Sequence, residues 1–248
     1  SFDSDGFALG ADVKVNTDTE AYVAWCWKES ATAGFDIISY TGDGNAGLTI
    51  NHNLGVAPKI VIIKARERGD SWVFGHDSLG WTKFLYLNTT NSVFTVTDRW
   101  NDTAPTSSFI TLGDATNVNY ADDFIAYCFA EKQGFSKFGS YEGNGNAASP
   151  FIFLGFRPAF VLIRNVDSVE GWTIFDNKRD GYNAENRRLY PHSAEAEANA
   201  SQTIDMLSNG FKVRSSTEGL NKSGDTIIFA AFAEAPFVNS NGVPCNAR

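Results

Sequence analysis

Leu54-Gly55-Val56-Ala57-Pro58-Lys59-Ile60-Val61-Ile62-Ile63-Lys64 and Leu154-Gly155-Phe156-Arg157-Pro158-Ala159-Phe160-Val161-Leu162-Ile163-Arg164 are two versions of one stretch. Each is a Gly/Pro turn feeding a short unbroken run of β-branched and aromatic residues closed by a base. Such a run lacks the alternation of a half-exposed strand, so it predicts a strand covered on both faces. Its return about 100 residues later means that the chain repeats a unit of ordinary domain size.

The closing part of the unit occurs three times. Ser4-Asp5-Gly6-Phe7, Val15-Asn16 and Tyr22-Val23-Ala24-Trp25-Cys26-Trp27-Lys28-Glu29 form the first copy. Phe109-Ile110-Thr111-Leu112-Gly113, Val118-Asn119 and Phe124-Ile125-Ala126-Tyr127-Cys128-Phe129-Ala130-Glu131 form the second. Ser208-Asn209-Gly210-Phe211, Leu220-Asn221 and Ile227-Ile228-Phe229-Ala230-Ala231-Phe232-Ala233-Glu234 form the third. The opening part occurs twice. The organisation expected is therefore the C-terminal portion of a preceding module at 1–33, β-modules at 34–132 and 133–236, and a tail at 237–248. In the first module strands are predicted at 35–40, 48–52, 59–64, 71–76, 83–88, 107–112 and 123–130. In the second they are predicted at 138–142, 151–154, 159–164, 172–176, 187–190, 210–214 and 226–234. Ser193 to Ala200 has the composition of a short helix without an apolar stripe. Many short strands separated by turn residues give an all-β class, tandem antiparallel β-sandwich modules of a jelly-roll-like kind. Residues 22–27 bring an apolar face that must be covered by something.

The chain has 248 residues, a formal charge of −9, three histidines and three cysteines. Excess acid argues against a phosphate-binding surface, so nucleic acid is not an expected partner. No apolar run is long enough for a membrane span. Gly42-Asp43-Gly44-Asn45-Ala46-Gly47 spells the dinucleotide fingerprint, but Leu48-Thr49-Ile50-Asn51-His52 follows as a strand instead of a helix, which predicts a turn. His52, whose counterpart is read as Ile152, is expected to be a buried hydrogen-bonded imidazole. His76, aligned with Asp176, has no second histidine at ligand spacing. Cys26 and Cys128 share a slot that holds Ala231 in the third copy, so both read as small buried thiols. The acids Asp3, Asp5, Asp43, Asp122 and Asp123 do not form a calcium loop, and no cofactor or metal is expected.

Trp72 and Trp172 recur in register and read as packing. Trp81 and Trp100 have no counterpart in the second unit and lie in polar, turn-rich sequence. Together with Asn101 and Asp102 they are the candidate ligand residues, since an exposed indole beside amides and carboxylates suits a sugar face. Edge packing explains the indoles equally well.

Several of these motifs, Phe2-x-Ser4-Asp5-Gly6-Phe7, Tyr40-Thr41-Gly42-Asp43-Gly44, Tyr86-Leu87-Asn88-Thr89 and Trp100-Asn101-Asp102-Thr103-Ala104-Pro105-Thr106, form a familiar set. The set resembles a repeated domain of uncharacterised function in virion and tail proteins of tailed bacteriophages, especially aquatic ones. The ending from Ala233 to Arg248 is similar to the usual close of such proteins. The resemblance implies a non-enzymatic tail fibre, spike or other virion appendage that presents a surface for host attachment. Its implied partners are other virion proteins and a host glycan or envelope protein, and its implied assembly is a homo-oligomer, by analogy a trimer. A purely architectural connector and a polysaccharide-degrading tailspike are the other readings.

Overall fold

The computed structural model describes residue 3 and residues 6–148, 150–199 and 202–234. The tail at 237–248, with Cys245, lies outside the described residues. In chain order the strands are β1 (Phe35–Thr41), β2 (Leu48–Asn51), β3 (Ile60–Ala65), β4 (Val73–His76), β5 (Lys83–Tyr86), β6 (Phe94–Thr95), β7 (Phe109–Leu112), β8 (Asp123–Phe129), β9 (Ser136–Glu142), β10 (Phe151–Phe153), β11 (Phe160–Asn165), β12 (Thr173–Asp176), β13 (Ile204–Leu207), β14 (Gly210–Val213) and β15 (Thr226–Phe232). The protein is all-β and built of antiparallel β-sandwiches.

In the first unit a large sheet, β1-β8-β3-β4-β5-β6, faces the ribbon β2-β7. In the second, β12-β11-β15-β9 faces β10-β14-β13. The central strands β8 and β15 are each flanked by the first strand of their unit and by the strand after the Leu-Gly-x-x-Pro turn. Between the two layers of each unit lies a core, built from residues such as Val61, Ile63, Ile110 and Phe124 in one and Val161, Ile163, Phe211 and Phe229 in the other.

A third apolar cluster joins the units. Ile60, Phe74 and Leu85 of the first large sheet pack against Leu162, Trp172, Ile174, Ile228 and Phe232 of the second. Alternate residues of one strand thus serve two cores, and this is why β3 and β11 carry unbroken apolar runs. Polar contacts cross the same junction. Trp172 Nε1 donates to the Tyr86 carbonyl at 2.8 Å, and the buried Arg164 guanidinium donates to the Thr90 carbonyl at 2.9 Å.

One polar device appears in both units. Asn119, fully buried, accepts from Asp43 N and Gly44 N through Oδ1 and donates from Nδ2 to the carbonyls of Asn45 and Gly113. Asn221 likewise accepts from Asn144 N and donates to the carbonyls of Asn146 and Ser215. Each glycine-rich loop is therefore wrapped around a buried amide, and the fingerprint-like glycines serve a turn. A Cβ on Gly42 would lie 2.1 Å from the Tyr120 carbonyl oxygen, so only glycine permits this approach. Tyr40 and Tyr141 donate to the carbonyls just before these asparagines, Val118 at 2.6 Å and Leu220 at 2.7 Å.

Three expectations need correction. Residues 22–27 form no strand ladder. Their alternation is that of a strand, with Val23, Trp25 and Trp27 partly buried and Tyr22, Ala24 and Cys26 exposed, but no neighbouring strand lies beside them among the described residues. Their indoles pack on Phe129, Phe160 and Phe232. Residues 193–199 are not helical, because a short Ala/Glu segment without an apolar stripe has nothing to dock. Arg187 to Tyr190 makes isolated bridges only, while Ile204–Leu207, whose Ile204 and Met206 enter the second core, forms an unforeseen strand. The one α-helical turn among the described residues, Glu218–Asn221, carries the buried Leu220 and Asn221 inward.

Replacing Asn119 by Ala removes four hydrogen bonds to a fully buried position and is expected to lower the unfolding free energy by about 2–3 kcal/mol. Urea denaturation of Asn119→Ala and Asn221→Ala checks this. A loss below about 0.5 kcal/mol would show that the loops hold their shape without the amides.

Candidate functional site

The candidate ligand residues Trp81 and Trp100 do not form a surface platform. Both indoles are buried in the first core, in a T-shaped pair with centroids 5.3 Å apart and planes at 89°. Trp100 Nε1 donates to the Lys83 carbonyl at 3.1 Å. The reason lies in Gly75 on β4. A Cβ there would meet Trp100 Cζ2 at 2.6 Å and Trp81 Cζ3 at 2.8 Å, so the two indoles occupy the space that glycine leaves. In the second unit the matching position, opposite Val161 as Gly75 is opposite Val61, is Phe175. Phe175 fills that volume itself and needs no tryptophans. Asn101 and Asp102, with φ of 49° and 47°, form the left-handed turn beyond Trp100, and Thr103 Oγ1 donates to the Asn101 carbonyl at 2.7 Å. With the indoles facing inward, the four residues do not converge on a ligand.

The histidines and thiols also resolve structurally. His52 is buried, with Nε2 3.1 Å from the Thr106 carbonyl and Nδ1 accepting from Leu54 N at 3.3 Å. The strand register puts Ile152 opposite Phe211 as Ile50 is opposite Ile110, so Ile50, not His52, is the counterpart of Ile152. His76 is 1% exposed and accepts from Ser78 N through Nδ1 at 3.1 Å. Its Nε2 therefore carries the proton and donates across the unit boundary to the Phe229 carbonyl at 3.3 Å. Burial holds its pKa down to about 4. Cys128 is buried in the first core and its thiol is pushed up to about 12, by burial and then by Asp36. Cys26, in the equivalent slot, is exposed, because among the described residues no sheet lies beneath residues 22–27.

Three of the loop acids have partners in the protein, while Asp5 lies outside the described residues. Asp122 pairs with Arg68 at 3.1 Å, Asp123 accepts from Thr41 Oγ1 at 2.9 Å, and Asp43 accepts from Asn45 N at 2.8 Å, which holds its carboxyl below the usual range. Among the described residues no three His, Cys, Asp or Glu side chains are placed to hold a metal ion.

One surface feature with the form of a binding site is a groove of about 580 Å³ where the first unit hands over to the second. Glu131, Gln133, Ser136, Lys137, Phe153 and Gly155 line it. The Phe153 side chain is 57% exposed on the outward side of β10. Lys137 Nζ lies 5.4 Å from the ring centroid and donates to the Phe153 carbonyl at 3.0 Å, while Glu131 Oε1 accepts from Phe138 N at 2.8 Å. The result is an open aromatic face with a charged and amide rim, able to stack on a sugar ring and hydrogen-bond its hydroxyls. The sequence signal was present. Phe151 and Phe153 flank the buried Ile152 where the first unit has Thr49 and Asn51 around Ile50, so the second unit has aromatic residues on the solvent side of that strand.

Residues 1–236 match the family described as "Domain of unknown function (DUF7483)", so the match takes in the leading segment and both units. No curated protein and no solved structure matches the chain.

Two outcomes are expected from these assignments. Trp100→Ala empties a buried indole site and should lower the unfolding free energy by about 3–5 kcal/mol in denaturant titration; a surface ligand residue would cost almost nothing. His76 has a folded-state pKa below its unfolded value of about 6.5, so the unfolded chain takes up the proton first as pH falls. Its contribution, about 3 kcal/mol, is present above pH ~6.5 and lost as pH drops towards 4. His76→Gln should flatten the stability profile over that window, and an unchanged profile would refute the assignment.

Proposed function

We propose that this chain, which belongs to the DUF7483 family, is a bacteriophage virion appendage protein that presents a surface for host-cell attachment without turnover. The observation that carries the reading is the Phe153 ring, open to solvent beside Lys137 and the amide rim of the groove. The motif resemblance to tailed-phage virion proteins supplies the setting. A stack of β-layers joined by a buried apolar junction suits a part that must transmit force while keeping its loops outward. The ligand class we infer is a cell-surface glycan, bound weakly at each site. Many copies on one particle raise the effective concentration, so weak single-site affinity suffices.

The test is binding of the purified chain to a panel of bacterial surface polysaccharides and to host cells. Phe153→Ala is expected to weaken binding about tenfold while leaving the midpoint of thermal unfolding within about 2 °C, since the ring is exposed. Undiminished binding by Phe153→Ala would remove the groove from the account. Failure of the unaltered chain to bind any host surface would leave the architectural role, a connector contacting only other virion proteins, as the better reading.

A further inference from the structure

The three copies of the unit's closing strand can be compared position by position. Outward from each unit's own core point Ile125, Tyr127 and Phe129 in β8 and Ile228, Ala230 and Phe232 in β15; their counterparts in the leading segment are Val23, Trp25 and Trp27. The last member of each set reaches the same junction. Trp27, Phe129 and Phe232, one residue position in three copies, meet with centroids 6.5 Å (Trp27–Phe129), 5.4 Å (Trp27–Phe232) and 5.8 Å (Phe129–Phe232) apart. Equivalent residues converging on one point describe a rough threefold arrangement inside a single chain. On the opposite side, Cys128 and Ala231 are sealed in their cores while Cys26 is bare. Among the described residues, 21–29 make no backbone hydrogen bond, although β8 and β15 are paired along both edges.

The contacts between units run in one direction and repeat. The β4–β5 side of the first unit covers the second unit's sheet, with Phe74 4.6 Å from Trp172 and His76 reaching the backbone of β15 at Phe229. Asp176, which stands where His76 stands in the first unit, reaches the leading segment in the same way and accepts from Trp25 Nε1 at 3.3 Å. Each contact is heterologous, one surface of a unit against a different surface of the next, and such contacts close into a ring when the rotation allows. Among the described residues the third contact of the ring is not made. The positions covered in the second unit, Phe138, Leu162, Arg164, Trp172 and Ala230, are buried. Their counterparts Ile37, Ile62, Lys64, Trp72 and Tyr127 are only partly buried, with Trp72 stacked on Tyr127 at 6.1 Å and, among the described residues, no sheet above them.

We propose that this outer face of the first unit is the seat of a further unit of the same repeat, whose central strand is residues 22–29 and whose β4–β5-type side closes the ring. The occupant is thus a β-module of this kind, not a second copy of the whole chain. Its fit is argued from continuity with the junction at Trp27 and from the two equivalent contacts already made.

The test supplies such a unit. A copy of residues 134–204, fused directly ahead of Ser1, supplies the strands that precede Asp205 in the second unit, because Ser208-Asn209-Gly210-Phe211 aligns with Ser4-Asp5-Gly6-Phe7 and Asp205 therefore with Ser1. Thiol labelling read by peptide mass mapping at Cys26 should slow by about tenfold or more, as for a buried thiol. Amides of residues 23–27 should gain hydrogen-exchange protection of about a hundredfold or more. Adding Trp72→Glu should reverse most of both effects. A second extension, a copy of residues 34–103, guards against an incompatible graft. If Cys26 and these amides stay open in both fusions, whether the added segment folds or not, the proposal is wrong. It is equally wrong if the unextended chain dimerises in solution with Trp72 covered and Cys26 facing its mate.

Discussion

The structure follows from one constraint: the large sheets are apolar on both faces. A two-layer sandwich buries only one face of each sheet, so a unit of this sequence is left with an uncovered face of Phe, Ile, Leu and Trp. Setting the β4–β5 side of the first unit against the large sheet of the second removes the second unit's outer face from water, and non-directional apolar burial is the dominant favourable term in doing so. The doubled role of β3 and β11, the seat of Trp25 and Trp27 and the close approach of Phe74 to Trp172 all derive from it.

Burial on this scale makes unpartnered polar groups costly, and Arg164 meets the first unit through Nη2 while its Nε and Nη1 find no partner among the described residues. Arg164 is fully buried and turns towards backbone carbonyls of the first unit with its guanidinium near the Trp172 ring; burial brings its pKa down to about 10, so it remains charged at neutral pH. His76 is kept neutral by burial and spans the boundary with one donor and one acceptor. These groups add register to a contact that apolar packing alone would leave free to slide. Fixing the junction also fixes the groove beside it, since Glu131 lies on the connection between β8 and β9 and Lys137 in β9, whose Phe138 packs in the junction. No helix among the described residues is long and apolar enough to cross a membrane.

Much of the fold could be read from residues with local meaning. Gly/Pro turns, alternation and the repeated Leu-Gly-x-x-Pro lead-in located most of the strands and the glycine-rich turns. Partners distant in sequence were harder. Trp81 and Trp100 looked exposed because their neighbours are polar, and what buries them is the absent side chain of Gly75, visible only when Gly75 is set against Phe175. Cys26 looked buried because its counterparts are, yet the sheet that buries them has no equivalent under residues 22–27. Phe153 was hidden in a run read as a strand without regard to which side faced water.

Differential scanning calorimetry of the intact chain tests the shared junction most directly. If the two units depend on each other to cover their large sheets, they should unfold in one transition whose calorimetric and van't Hoff enthalpies agree, and Leu162→Asp in the second unit should lower the transition of both. Two separable transitions, with Leu162→Asp moving only one of them, would contradict the account.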